Sequence, residues 1–253
     1  MKKLIIFDLD GTLAKSKSPI DKEMAVLLSN LLEVARVSII SGGNWPQFEK
    51  QVLDRLPKKT ILKKLSILPT CGTKFYQFEK EWEQLYAENF TDEEREKILD
   101  SLHNAIEEAD FEIKKTWGDQ VEDRGSQITF SALGQKAPLE EKKDWDPDFS
   151  KREKIKKPLE KSLKEFSVGM DGTTSIDITK PGIDKAYGIN KLKEILHIEI
   201  GEMLFIGDAL FEGGNDHPAR KTGVDCIQVR DPEETKRIIE TVIACSVDKR
   251  ENK

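Results

Sequence analysis

Short apolar runs alternate with helically spaced apolar positions along this chain. Leu4, Ile5, Ile6 and Phe7 form an unbroken apolar run that stops at Asp8. Such a run predicts a strand buried on both faces. Met24, Leu27, Leu28, Leu31 and Leu32 then recur at three- and four-residue steps, which predicts a helix. Val37-Ser38-Ile39-Ile40 is a second run, closed by Ser41-Gly42-Gly43. Met203-Leu204-Phe205-Ile206 is a third and leads into Gly207-Asp208; Cys226-Ile227-Gln228-Val229 is a fourth, beyond Gly223. Strands interleaved with helices predict a parallel sheet and an α/β core. Three of the four predicted strands end in a hydroxyl or a carboxylate, at the edge where open α/β sheets hold ligands.

The middle of the chain has a different pattern. Thr91-Asp92-Glu93-Glu94 reads as a capping box opening a helix, with Ile98, Leu99, Leu102, Ala105 and Ile106 on one face. Ile155, Leu159, Leu163 and Phe166 mark a second amphipathic helix, which Pro158 should kink or start. Between and after them, Ile128, Phe130 and Ala132 alternate with Gln127, Thr129 and Ser131, and Ile176 and Ile178 alternate with Ser175, Asp177 and Thr179. Each such strand has an apolar face for helices and a polar face left over. Residues 81–184 are therefore expected to form an α+β domain inserted into a core made of 1–80 and 185–253. Trp145 to Asp148 reads as a loop of that insert, and residues 248–253 are expected to fray.

Composition narrows the functions. The chain has 253 residues, a formal net charge of -6 and 35% charged residues. With no basic run against that acidic background, a nucleic-acid partner is not expected. The opening Met1-Lys2-Lys3-Leu4 resembles a signal peptide until Asp8 and Asp10 interrupt it, so that reading is set aside. No apolar stretch approaches the ~18 residues of a membrane span. Cys71, Cys226 and Cys245 are odd in number and far apart, which suits reduced thiols rather than disulfides or zinc. The expected setting is cytoplasmic.

The chemistry concentrates at strand ends. Asp8-Leu9-Asp10-Gly11-Thr12 places two carboxylates beside a glycine that lets the chain turn sharply. Carboxylates this close ionise together only with a cation between them, an arrangement suited to a hard metal bound by oxygens. Taken alone, Ser41 reads equally as a helix N-cap and Lys185 as a surface charge. In order along the chain, however, Asp8-Leu9-Asp10-Gly11-Thr12, Ser41, Lys185 in Gly182-Ile183-Asp184-Lys185, and Gly207-Asp208 with Gly214-Asn215-Asp216 resemble the four motifs of the haloacid dehalogenase (HAD) superfamily. The resemblance implies a Rossmann-like core with an inserted cap, and an aspartyl-phosphate mechanism. It makes Asp8 the nucleophile and Asp10 the acid–base. It assigns Mg²⁺ to the carboxylates of Asp8 and Asp208 and the backbone carbonyl of Asp10. Ser41, Gly42 and Lys185 would bind phosphoryl oxygens. Asp216, with neighbouring Asn215, would orient Lys185 or reach the metal through water. His217 invites a role but is more often structural at a helix start.

Caps in this position accompany phosphosugar substrates. Gly213-Gly214-Asn215-Asp216-His217, Ser175-Ile176-Asp177 and Arg124-Gly125-Ser126 resemble segments of eukaryotic-type phosphomannomutases, which would make Arg124, Ser175 and Asp177 substrate contacts. That family carries a further cap arginine where this chain has Gln135 after Leu133-Gly134, and an arginine after the first motif where it has Lys15 and Lys17. A mutase must hold a bisphosphate by its distal phosphate, and glutamine does not replace a bidentate guanidinium there. Hydrolysis of phosphosugars is accordingly the first expectation and a phosphohexomutase the alternative, with a non-catalytic phosphosugar-binding module a third. Whether two copies pair through the cap as a homodimer is left open.

Overall fold

The computed structural model describes residues 2–110, 115–171 and 173–247. The opening apolar run is strand β1 (Leu4–Phe7), buried at every position. Its side chains alternate between two apolar clusters, Ile5 and Phe7 in one, Leu4 and Ile6 in the other. A continuous hydrophobic run is what burial on both faces requires.

The following elements are α1 (Lys22–Val34), β2 (Arg36–Ile40), α2 (Trp45–Gln51), β3 (Leu65–Leu68), β4 (Lys74–Phe78) and β5 (Trp82–Ala87). Then come α3 (Asp92–Glu108), β6 (Val121–Asp123), β7 (Gln127–Ser131), α4 (Leu139–Trp145), α5 (Ser150–Ser162), β8 (Ser167–Asp171) and β9 (Ser175–Thr179). The chain closes with α6 (Lys185–Leu196), β10 (Met203–Gly207), α7 (His217–Lys221), β11 (Asp225–Gln228) and α8 (Pro232–Val247).

Two compact units result, Met1–Ala87 with Ile183–Lys253, and Glu88–Gly182. The first holds a seven-stranded sheet ordered β11-β10-β1-β2-β3-β4-β5. The pairings from β11 to β3 are parallel, and β4 and β5 add an antiparallel edge. This is a Rossmann-like α/β core. Helix α1 lays Met24, Ala25, Leu28, Leu31 and Leu32 on one face of the sheet, while Ile189 and Leu192 of α6 join the cluster on the other. At the start of α1, Asp21 caps the helix from Oδ1, and its Oδ2, with Glu23 and Glu233, accepts from the buried Lys236 of α8 at 2.7–2.9 Å.

The second unit is an inserted α+β cap with a four-stranded antiparallel sheet ordered β6-β7-β9-β8. Ile128, Phe130, Ile176 and Ile178 pack with Ile98, Leu102 and Ala105 of α3 and Ile155 and Leu159 of α5. The capping box is formed: Glu94 N–H donates to Thr91 Oγ1 at 3.1 Å and Thr91 N–H to Glu94 Oε2 at 2.8 Å.

Some expectations change. The first boundary moves from 81 to 88, because the aromatic-rich segments at 74–78 and 82–87 pair as a hairpin onto β3 and extend the core sheet. The second moves from 184 to 182. Pro158 neither starts α5 nor ends it; the helix runs from Ser150 through to Ser162. Trp145 ends α4, and residues 146–148 lie in the loop that leads to α5, where Asp146 is a buried partner of Arg152. The fraying expected at 248–253 lies outside the described residues. Among the described residues no helix is long and apolar enough to cross a membrane.

Candidate active site

Parallel pairing of β10, β1 and β2 brings three chemically armed strand ends to one edge of the core sheet. Asp8 follows β1, and its N–H donates to Ile206 O of β10 at 3.0 Å. Asp208 follows β10 and Ser41 follows β2. Gly11 has a φ of +93°, and a Cβ there would stand 2.4 Å from Asp208 Oδ2. Both the left-handed turn and the close approach of the Asp8 loop to Asp208 therefore require glycine.

Lys185, the first residue of α6, is only 2% exposed. Its Nζ donates to Asp8 Oδ1 at 2.5 Å and to Asp216 Oδ1. Asp216 is fixed in turn by Ala209 N–H, which donates to Oδ2 at 2.9 Å. Asp208 accepts from Thr12 Oγ1 at 3.2 Å. Carboxylate oxygens of Asp8, Asp208 and Asp216 lie within 4.8 Å of one another. Three carboxylates against the one ammonium that bridges two of them leave a surplus of two negative charges.

The electrostatics follow from that crowding. Burial pushes Asp8 up to about 7 despite the pull of Lys185, and Asp216 pushes the same way. Burial, with Asp216 beside it, also raises Asp208. Burial works against the charge of Lys185, yet Asp8 and Asp216 hold its pKa above the ordinary lysine range. A divalent cation among the carboxylates would remove the surplus, so the donor set suits a hard metal.

Asp10 stands apart from this cluster in its bonding. It is half-buried, with Oδ1 accepting from Lys17 N–H at 2.5 Å and Oδ2 from Gln47 Nε2 at 2.9 Å. Ser41 is 6% exposed and is not a helix cap; Asn44 caps α2 by accepting from Gln47 N–H, and Ser41 Oγ accepts from Gly43 N–H at 3.3 Å. Nothing lies within 4 Å of where a Gly42 Cβ would be, which leaves room beside that loop for a ligand oxygen. Asn215 is exposed in the turn before Asp216, and His217 is half-buried at the start of α7.

Sequence reasoning overlooked what supports the Ser41 loop. Thr70 and Cys71 have φ of +48° and +55°, and Gly72 follows at +91°. Consecutive left-handed residues other than glycine are strained, and this turn is held in place from two sides. Thr70 N–H donates to Gly43 O and Cys71 N–H to Ser41 O, both at 3.0 Å. A Cβ on Gly72 would lie 2.6 Å from Gly188 Cα, on the helix that carries Lys185. One turn thus buttresses both Ser41 and Lys185. Its sequence signal, a glycine after a short apolar strand, is too common to single out.

In the cap, the polar face of β7 and β9 is a chain of mutual hydrogen bonds. Gln127 Nε2 donates to Thr129 Oγ1 at 3.0 Å, and Thr129 Oγ1 to Asp177 Oδ1 at 2.6 Å. Ser131 and Ser175 hydroxyls are 2.9 Å apart, and Gln135 Nε2 donates to Ser131 Oγ at 3.1 Å. Arg124 donates to Glu122 at 2.8 Å. Lys142, buried and unremarked in the sequence, places Nζ 3.5 Å from Gln135 O, so the segment lacking an arginine has a cation beside it.

The family model described as eukaryotic phosphomannomutase matches residues 24–245. This chain belongs to that family. Relatives in the phosphomannomutase family include the Encephalitozoon cuniculi phosphomannomutase, 27% identical across 96% of this chain and 94% of its own length. Human phosphomannomutase 1 is 27% identical, covering 84% of this chain and 81% of its own. The family's HAD-type fold is shared with distant solved structures. A C-terminally truncated Plasmodium falciparum IMP-nucleotidase superposes with a TM-score of 0.71 at 18% identity, covering 96% of this chain and 71% of its own. A trehalose-6-phosphate phosphatase related protein gives 0.60 at 15%, covering 97% and 99%.

Proposed function

We propose that this protein transfers phosphoryl groups on phosphosugars through an aspartyl-phosphate at Asp8, and that its main reaction is isomerisation of a hexose phosphate. The observation that carries the chemistry is the buried Asp8 carboxylate at a strand end, held by Lys185, with Asp10 two residues on and anchored separately. Membership of the phosphomannomutase family supports isomerisation over hydrolysis, the reverse of the order expected from Gln135 and from Lys15 and Lys17.

In this reading an oxygen of Asp8 forms a bond to phosphorus while the bond to the sugar oxygen breaks. Asp10 gives that oxygen its proton, a contribution of roughly 10²–10⁴ in rate. In the second half, a sugar hydroxyl attacks the aspartyl-phosphate, the bond from Asp8 to phosphorus breaks to free the carboxylate, and Asp10 takes the hydroxyl proton. Lys185 and Ser41, with the amides of Gly42 and Gly43, hold phosphoryl oxygens. Asp8, Asp208 and the backbone carbonyl of Asp10 would hold Mg²⁺, with Asp216 alongside, and the ion would neutralise charge that otherwise repels a phosphate dianion. The hydroxyl of Ser175 and the carboxylate of Asp177, with Arg124, suit a sugar's hydroxyls or a second phosphate.

Hydrolysis is the second reading, favoured by the uncharged Gln135 side chain. Incubation with mannose 1-phosphate, Mg²⁺ and a trace of hexose 1,6-bisphosphate separates the two. Mannose 6-phosphate without phosphate release is the expected result. Free phosphate in its place makes the protein a phosphatase, and no turnover with phosphosugar still bound makes it a binding module.

A further inference from the structure

We infer that Gln47 is a positioning residue for Asp10: it fixes the carboxylate through which protons reach and leave the transferring oxygen. The inference rests on the reading of Asp8 as nucleophile and Asp10 as acid–base. It names a residue that no motif contains.

Asp10 follows β1 in a backbone bridge to Ala14, half-buried, where a short side chain has several open rotamers. Two donors reduce them to one. Lys17 N–H, from a residue at φ +55°, takes Oδ1, and Gln47 Nε2 takes Oδ2. The backbone donor is independent of side-chain identity; the amide is not. Gln47 lies in the first turn of α2, directly after the Ser41-Gly42-Gly43 loop, so the residue that aims the acid–base is tied to the loop proposed to hold the phosphate.

The amide is itself fixed from behind. Nε2 of Gln47 also donates to Gln51 Oε1 at 2.9 Å, one helical turn on, and Gln51 is 3% exposed. To present that acceptor, Gln51 leaves its own buried Nε2 with no hydrogen-bond partner. An orphaned buried donor costs stability and calls for an explanation. Orienting Gln47 supplies one, since the opposite Gln51 rotamer would set two donors against each other. The front of the amide is enclosed as well: a Cβ on Gly43 would stand 2.4 Å from Gln47 Oε1, so this placement exists because position 43 is glycine. Such a two-sided constraint on one half-buried glutamine is more than packing needs. It is what a proton donor requires, because its contribution depends on alignment with the leaving oxygen.

The test uses leaving groups that differ in their need for a proton. Asp8 phosphorylation is timed in single turnovers with Mg²⁺, from p-nitrophenyl phosphate and from hexose 1,6-bisphosphate. The phenolate leaves without protonation, whereas the sugar alkoxide requires it. Gln47→Met keeps length and helix propensity and removes the donor. We expect the bisphosphate rate to fall roughly 10-fold, part of the proton-transfer contribution, with the aryl phosphate within about twofold of wild type. Gln51→Met should act in the same direction and less. A parallel fall on both substrates, or no change on either, overturns the role of Gln47 while leaving Asp8 and Asp10 as assigned. If wild type is labelled by neither substrate, or Asp8→Asn is still labelled, the nucleophile reading itself falls.

Discussion

The two units bury polar groups in contrasting ways. In the core, the ionisable Asp8, Lys185 and Asp216 are buried, with Asp208 half-buried beside them, and the carboxylates outnumber the one ammonium they share. In the cap, Gln127, Thr129 and Ser131 are buried as neutral groups whose donors and acceptors largely satisfy one another. The most deeply buried charges described in the cap form a matched pair, Asp146 with Arg152 at 2.8 Å, each side chain at most 1% exposed. Buried groups that close on themselves need no ligand. Buried groups that leave charge over are stable only with something further bound, a cation or a phosphate. The imbalance supports the core edge as the proposed site of the chemistry. The hydroxyl-rich cap network, able to exchange one hydroxyl partner for another at little cost, suits recognition of a sugar.

The strongest way to break this contrast is to sever a buried ion pair in each unit. Lys185→Met removes the ammonium shared by Asp8 and Asp216, and Asp146→Asn removes the charge paired with Arg152; each should cost about 3–5 kcal/mol in thermal or denaturant unfolding. Function should separate them. Lys185→Met is expected to slow Asp8 phosphorylation by about 10²–10³, while Asp146→Asn, assayed well below its melting point on an aryl phosphate, stays near wild type. Mg²⁺ should restore stability to neither fully, but more to the core variant, whose carboxylates lie in the acidic trio. Equal catalytic losses would end the distinction between a charged working site and a charged structural pair.

A smaller effect sharpens the claim of imbalance. Burial raises Asp8 from 3.8 to about 7, so the folded, metal-free protein favours protonated Asp8. That contribution to stability is fully present below the unfolded value and is lost as pH rises through about 7. Asn at this position cannot ionise. Metal-free Asp8→Asn should therefore gain on wild type as pH climbs from acid to neutral, by on the order of 2 kcal/mol or a few degrees in midpoint. Calorimetry across that range checks it. A variant less stable than wild type at every pH would show that Lys185 needs Asp8 more than burial penalises it.

What the sequence revealed divides along the same line. The core strands were legible because burial on both faces demands continuous apolar runs, and the catalytic candidates because a turn after such a run leaves few places for a carboxylate. Strand β3 and the hairpin β4–β5 were not, since Leu65-Ser66-Ile67-Leu68 is short and Trp82-Glu83-Gln84-Leu85-Tyr86-Ala87 has no strict alternation. The cap's polar face could be read from period two; that Gln127, Thr129 and Ser131 are buried on it could not, because polar residues at that spacing normally face water. Gln47 and the Thr70–Gly72 turn escaped for another reason. They act by tertiary contact with Asp10, Ser41 and Gly43, and nothing in their own neighbourhoods announces a partner.

The smallest expected effects lie on that cap face and test whether its network is exchangeable. Ser175 shares one hydrogen bond with Ser131, which Gln135 supports from the other side. Removing the Ser175 hydroxyl therefore leaves Ser131 with a partner, and Ser175→Ala should shift the unfolding midpoint little, within about 1 kcal/mol. If Ser175 binds a sugar hydroxyl, the same change raises KM for the phosphosugar roughly 10-fold, the worth of one such bond, and leaves aryl phosphate kinetics untouched. Thr129→Val supplies the contrast. Thr129 links Gln127 to Asp177, so its loss removes one of the bonds that aim the Asp177 carboxylate and should weaken binding by a similar factor without touching substrate itself. Combining Thr129→Val with Asp177→Asn should then cost no more than Asp177→Asn alone. Additive losses would mean the two residues act separately, and the network would be scaffolding rather than a surface poised to trade its hydrogen bonds for those of a sugar.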